Sequence, residues 1–357
     1  MTVLVTGGAG YIGSHMVWEL LDAGEDVVVL DRLSTGFEWA VAPEAQLVVG
    51  DVGDIGLVSS IIRKHKVDAV IHFAGSIVVP ESVADPLGYY ENNTSKTRSL
   101  LEAVVREKVP HFIFSSTAAV YGGAGLEPVR EDAPLKPESP YGMSKLMTEW
   151  MLRDTAAAHG LRYTALRYFN VSGADPRGRT GQSTPGATHL IKVACETATG
   201  KRPWMQVYGT DYPTPDGTCI RDYIHVSDLV AAHRLALARL RAGGDSLTAN
   251  CGYSHGYSVL EVIDSVRRVH GADFDVRIAP RRPGDAPAVV ANSDLARREL
   301  GWKPNYDDLD RIVADALNWE KYLQHTASDS PERRRRKRRL SLGATRPRKK
   351  NLQPNAV

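Results

Sequence analysis

The sequence predicts an α/β fold in which a doubly wound, mainly parallel sheet is followed by a smaller C-terminal α/β unit. Short aliphatic and β-branched runs at 2–6, 27–30, 47–49, 69–72 and 111–114 alternate with helix-like segments, as in successive β-α-β units. A glycine-rich turn, Gly7-Gly-Ala-Gly-Tyr-Ile-Gly13, joins the first strand to the first helix. At 357 residues, 43% hydrophobic and 24% charged, the chain can bury a large core and has ordinary globular composition. On this reading residues 1–170 form the first unit, to which later segments return. Residues 171–323 form the second, and 324–357 a basic, disordered tail.

Composition narrows the function. The final 27 residues carry 11 Lys or Arg and one acid, leaving 33 basic against 41 acidic residues before them. The body is therefore acidic, and the tail can bind nucleic acid or an anionic surface only through unspecific charge. No stretch resembles a membrane-spanning helix, and no leader pattern precedes the first strand, so a soluble cytoplasmic protein is expected. Cys195, Cys219 and Cys251 are unclustered, which suggests buried thiols rather than disulfides or a thiolate metal site. None of the 11 histidines has a metal-ligand spacing. His72 and His225 are expected to satisfy internal hydrogen bonds, and Trp302 to lie in the core.

Strand, glycine turn and helix in that order form the Rossmann-type context that makes glycines 7, 10 and 13 a dinucleotide site. Small residues there let the backbone approach a pyrophosphate at the helix amino end. The second strand ends in Asp31, 18 residues past Gly13, where a carboxylate suits the adenosine ribose and favours NAD. Arg32 beside it can accept a 2′-phosphate. Asp51, after the third strand, either flanks the adenine or caps the helix starting near Ile55. A long helix is predicted over 85–107. Asn is unfavourable within it, so Asn92 or Asn93 should face a ligand or a backbone group. Ser115, Ser116 and Thr117 follow the fifth strand, either in the crevice or as turn formers.

Ser139-Pro-Tyr-Gly-Met-Ser-Lys145 puts a phenol and an ammonium four residues apart, on one face of a helix. A tyrosine titrates near ~10, and a neighbouring cation favours its phenolate, so Lys145 can tune Tyr141 for proton transfer. Further helices are predicted at 227–242, 259–270, 295–300 and 307–323, as packing elements.

The chain resembles the extended short-chain dehydrogenase/reductase superfamily and, within it, the UDP-glucose (UDP-galactose) 4-epimerases. The resemblance runs from Met1 to about Leu323. It rests on Thr6-Gly-Gly-Ala-Gly-Tyr-Ile-Gly13, Asp31-Arg-Leu-Ser-Thr-Gly36, His72-Phe-Ala-Gly75, Phe114-Ser-Ser-Thr117, Tyr141-Gly-Met-Ser-Lys145, Arg167-Tyr-Phe-Asn170, Gly217-Thr-Cys-Ile-Arg-Asp-Tyr-Ile-His-Val226 and Arg281-Arg-Pro-Gly-Asp285. It implies a homodimer with tightly bound NAD. Tyr141 takes the proton of the sugar 4′-hydroxyl as hydride passes to the nicotinamide, and the 4-keto sugar turns over and is reduced on its other face. Thr117 bonds the moving oxygen, and Lys145 depresses the phenol and holds the nicotinamide ribose.

By the same resemblance, cofactor contacts fall on Gly7, Gly10, Tyr11, Ile12, Gly13, Asp31, Arg32, Leu33, Ser34, Thr35, Gly36, Asp51, Val52, Phe73, Ala74, Gly75, Asn92, Ser115, Lys145 and Phe169. Ile77 stands where relatives place a Lys after the F-A-G motif. Substrate contacts fall on Asn170 (sugar or phosphate), the backbone around His189 and Leu190 (lining the diphosphate), Gln206, Tyr208 (stacking on uracil), Arg221 and Arg282 (diphosphate), Asp285 (uridine ribose) and Val289 beside the hexose. The small Val289 leaves room for an N-acetyl group. Ala118 and Ala119 follow Thr117, so the carboxylate that a 4,6-dehydratase or decarboxylase needs there is missing. Epimerases of UDP-N-acetylhexosamines, UDP-xylose/arabinose or UDP-glucuronate remain open, as does a non-catalytic NAD(H)-sensing regulator, against which Tyr141 and Lys145 speak.

Overall fold

The computed structural model describes residues 1–328 apart from 124, 126 and 283, so nearly all of the basic tail lies outside the described residues. In chain order the first strands are β1 (Thr2–Thr6), β2 (Asp26–Asp31), β3 (Gln46–Val49), β4 (Val67–His72), β5 (His111–Thr117) and β6 (Arg162–Tyr168). Shorter strands follow: β7 (Asn170–Ser172), β8 (Met205–Tyr208), β9 (Ile220–Arg221) and β10 (Tyr223–His225). The last are β11 (Leu247–Cys251), β12 (Tyr257–Ser258), β13 (Val276–Ala279) and β14 (Ala288–Val289).

Seven strands form the main sheet in the order β11-β6-β5-β4-β1-β2-β3, and every neighbouring pair is parallel. This is the Rossmann-type doubly wound sheet. The order reverses between β1 and β4, which opens a crevice beyond the carboxyl ends of those strands. The edge strand β11 is a late segment returning to the first half. Three small sheets pair β7 with β10, β8 with β13, and β9 with β12 and β14.

Strand alternation sorts the core into layers. Val3 and Val5 point to one face with Met16, Val17 and Leu20, whereas Leu4 points to the other with Val70, Phe112 and Leu100. The first layer continues without a break into Ile191, Cys195, Met205, Val207, Ile263 and Trp302 of the second half. Trp302 is fully buried and its indole donates to Asp228 O at 3.0 Å. All three cysteines are free and buried. Both His72 nitrogens are engaged, by Thr6 at 2.6 Å and Thr97 at 2.9 Å, and His225 Nδ1 accepts from Ser227 N at 3.0 Å. No described helix is long and apolar enough to cross a membrane.

Two predicted helices differ. The stretch 85–107, expected as one helix, is helical from Pro86 to Arg106 but carries a π-helical turn, Tyr90–Ser95, between Pro86–Tyr89 and Lys96–Arg106, and a separate helix, Val79–Ala84, precedes it. Pro86 cannot continue a helix and starts a new one, capped by Asp85, which accepts from Gly88 N at 3.0 Å. The π turn carries both asparagines. The last helix spans Leu309–Ser328 and so passes Leu323, beyond which the tail was expected. The helix Pro140–His159 carries all the sequence signals for its ends. Ser139 caps it by accepting from Gly142 N at 3.2 Å, Pro140 opens it, and Gly160 closes it at φ 70°.

Candidate active site

Tyr141 and Lys145 project from the first turns of the helix Pro140–His159, and Thr117 ends β5 beside them. Thr117 Oγ1 accepts from Ala119 N at 3.1 Å, which leaves its proton free. Burial raises the Tyr141 phenol above its usual range, and a hydrogen bond from Thr117 opposes that rise. Lys145 follows one helical turn on, and its ammonium donates to Ser115 O at 3.0 Å and lies 5.0 Å from the centre of the Phe114 ring. It also borders Gly75, where an added Cβ would sit 3.7 Å from Nζ, so it is placed to meet a group resting on the F-A-G turn.

Desolvation pushes Lys145 down to about 8. Its unfolded value is near ~10.4, so between the two the unfolded chain holds a proton that the folded one has released. Stability on this group's account therefore rises with pH over that window. Cofactor-free Lys145→Met is expected to melt above the wild type at pH 7, with the gap closing toward pH 10. Thermal unfolding of both proteins across that range checks this, and a gap independent of pH would contradict it.

The glycine turn fits a dinucleotide. Gly7 has φ 70°, and a Cβ there would fall 2.6 Å from Ala74 N, so strand β4's F-A-G turn lies directly against it. A Cβ on Gly13 would collide with Gly7 O. The helix Tyr11–Asp22 begins at Gly10 with no side-chain cap and no acid in its first turn, which leaves its amino end open to a phosphate. Asp31 accepts from Ala9 N at 3.0 Å and from Leu33 N at 2.8 Å, so it shapes the loop carrying Leu33 to Gly36 and keeps lone pairs for ribose hydroxyls. Arg32 is turned to Ser34, 3.1 Å away, and lies 3.7 Å from Asp51. Asp51 is not a helix cap. It pairs with Lys96 at 2.5 Å, and Asp54 caps the helix Ile55–His65.

Both asparagines face polar groups. Asn93 accepts from Ser76 N at 2.7 Å and donates to Ser76 O at 2.9 Å and Ser144 Oγ at 3.0 Å, while Asn92 donates to Ser76 Oγ at 2.9 Å. A cavity of about 570 Å³ opens beside them, bordered by Arg32, Ser76, Tyr89 and Lys96. Ser115 Oγ bonds Tyr168 OH, Tyr11 OH donates to Gly173 O at 2.7 Å, and Val52 and Phe169 are buried. Ile12 and Phe73 pack partly buried against the core.

Most of the expected substrate residues fall into two adjoining groups. Tyr208 OH donates to Gln206 Oε1 at 2.6 Å, and the Arg282 guanidinium lies 3.8 Å over the Tyr208 ring. Arg221 lies 3.6 Å from Asp285 and in register with Val289. His189 stands immediately before the helix Leu190–Ala198, which packs on β8, and its ring takes a bond from Gln182 at 2.8 Å. Asn170 begins β7, beside β10. Among the described residues no group of His, Cys, Asp or Glu is arranged to hold a metal.

Sequence reasoning missed the frame around Thr117. Glu149 takes both arms of Arg167, at 2.9 and 2.6 Å, and the hydroxyl of Ser116 at 2.5 Å, all of it buried. A signal existed, because Tyr141, Lys145 and Glu149 continue one i, i+4 stripe.

Comparison with known proteins follows the same lines. Residues 3–252 match the NAD dependent epimerase/dehydratase family. The UDP-glucose 4-epimerase of Azospirillum brasilense is 58% identical over 92% of this chain and 94% of its own. The crystal structure of UDP-glucose 4-epimerase from Brucella ovis in complex with NAD is 46% identical, covering 89% of this chain and 97% of that one, with a TM-score of 0.87. The UDP-Glc/GlcNAc 4-epimerase of Campylobacter jejuni is 45% identical over 90% and 99%, with a TM-score of 0.79.

Proposed function

Since this chain belongs to the NAD dependent epimerase/dehydratase family, we propose that it reversibly epimerises UDP-glucose and UDP-galactose at C4′, with NAD as a resident cofactor. The observation that carries this reading is the placement of Tyr141 and Lys145 one turn apart on the helix Pro140–His159, with Thr117 ending the adjoining strand and Lys145 against Gly75. Bound NAD would supply the acceptor and donor of hydride for C4′. The remaining work is the chain's own. Tyr141 takes the 4′-hydroxyl proton and gives it back, Thr117 donates to the oxygen whose charge develops, and Lys145 holds the ribose of the cofactor. Gly7, Gly10 and Gly13 cradle the pyrophosphate, and Asp31 with Leu33 to Gly36 holds the adenosine. Ala118 and Ala119 cannot protonate a leaving group, so the chemistry stops at reversible proton transfer.

We assign cofactor binding to residues 1–170 together with the returning strand β11, and sugar-nucleotide binding mainly to 171–323. Tyr208 and Gln206 take the uracil, Arg221 and Arg282 the diphosphate, Asp285 the uridine ribose, and Asn170 the sugar. Exposed Val83, Leu87 and Trp150 on neighbouring helices support a homodimer. Three free thiols and an acidic body suit the cytoplasm.

One observation favours a wider substrate range. Val289, in register with Arg221, presents a small side chain in the same cluster, and the similar Campylobacter jejuni protein is a UDP-Glc/GlcNAc 4-epimerase. Purified protein without added NAD, followed by NMR on UDP-glucose, UDP-galactose, their N-acetyl forms and the pentose pair, tests both readings. Turnover of UDP-galactose and UDP-N-acetylgalactosamine is expected, with Val289→Tyr losing only the second. No turnover of either hexose would overturn the assignment, and none of the N-acetyl sugars would remove the wider range.

A further inference from the structure

The C-terminal helix holds the loop that precedes the helix Leu190–Ala198 at Gly181 and Ser183 directly, and at Gln182 through Lys192. The Trp319 ring lies flat enough on Gly181 that no Cβ would fit there, and its indole donates to Ser183 Oγ at 3.1 Å. Its neighbour Glu320, 1% exposed, forms an ion pair with Lys192, 4% exposed. Lys192 Nζ also donates to Gln182 O at 2.6 Å, and the Gln182 amide bonds the His189 ring at the helix entrance. A buried charge cluster, in which Lys192 pairs with Glu320 and also lies 3.8 Å from Glu196, therefore holds Gln182 and, through its amide, His189. The space beside it, about 10 Å³, is too small for a ligand.

Stability alone does not explain the pair. A buried ion pair is generally matched or exceeded by apolar residues of the same volume, and here Glu320 Oε2 has no hydrogen bond, with Lys201 no closer than 3.7 Å. We propose that Lys192 and Glu320 are positioning residues that hold the 181–190 loop in the shape that binds the UDP diphosphate. The proposal rests on the reading that this loop lines the diphosphate.

Three variants test it: Lys192→Met, Glu320→Leu and the double change, with Trp319 left intact because it also stacks on Trp39 at 6.2 Å. Thermal unfolding, calorimetric binding of UDP, steady-state kinetics with UDP-galactose and bound NAD are measured on each. The single changes should melt early, because each strands a buried charge, and the double variant should recover much of that loss. UDP binding and KM in the double variant should nonetheless stay weaker by roughly tenfold, the scale of a lost hydrogen bond to a charged group, with kcat and NAD content unchanged. Gln182→Leu, which leaves the ion pair intact, should weaken UDP in the same direction and serves if the double variant does not fold. Recovery of UDP affinity together with stability, or an unchanged affinity in Gln182→Leu, overturns the proposal alone. A wild-type protein that binds no UDP overturns the substrate-site reading as well.

Discussion

Tyr141→Phe is expected to lower kcat on UDP-galactose by about 10²–10⁴-fold, the range for loss of a positioned general acid/base, while NAD stays bound and UDP affinity holds. The change removes one hydroxyl from a helix end already fixed by Ser139, Pro140 and Ser144, whose hydroxyl donates to Tyr141 O at 2.7 Å, so the backbone stays in place. Burial disfavours the phenolate and Thr117 favours it, so the base is formed through the hydrogen bond and whatever charge a bound ligand adds. Single-turnover kinetics, with cofactor content measured in the same preparation, separates this from loss of binding. Wild-type turnover by the Phe variant would end the catalytic assignment.

Glu149→Leu is expected to cost about 3–5 kcal/mol of stability, the penalty for stranding one member of a buried ion pair. Arg167 would lose both carboxylate bonds and keep only Tyr121 OH, at 2.9 Å, and the Glu131 carbonyl, at 3.3 Å. Ser116 would lose its acceptor one residue before Thr117, so kcat should fall with stability. Denaturant titration measures the first effect. A loss under about 1 kcal/mol would place the pair with surface ion pairs instead.

The parts of the molecule readable in the sequence are those written in local chemistry. Gly7 occupies the left-handed backbone region at the turn where a glycine motif was read, and Ser139, Pro140 and Gly160 mark both ends of their helix. Tyr141 and Lys145 share a helical face because spacing alone decides that. What escaped depends on distant partners. The π turn at Tyr90–Ser95 carries Asn93, which reaches Ser76 and Ser144, residues 17 and 51 positions away. The two-residue strands β9, β12 and β14 carry no periodicity and exist through one another. Lys145 turned to the Ser115 carbonyl, a choice set by β5 and invisible in i, i+4 spacing. Asp51 lost its capping role to Asp54, three residues on, and gained Lys96.

The apolar layer that runs unbroken from Val3 to Trp302 means that the two halves have no seam along which to part. Under the proposed function, the 4-keto sugar therefore turns over between walls that a single core joins.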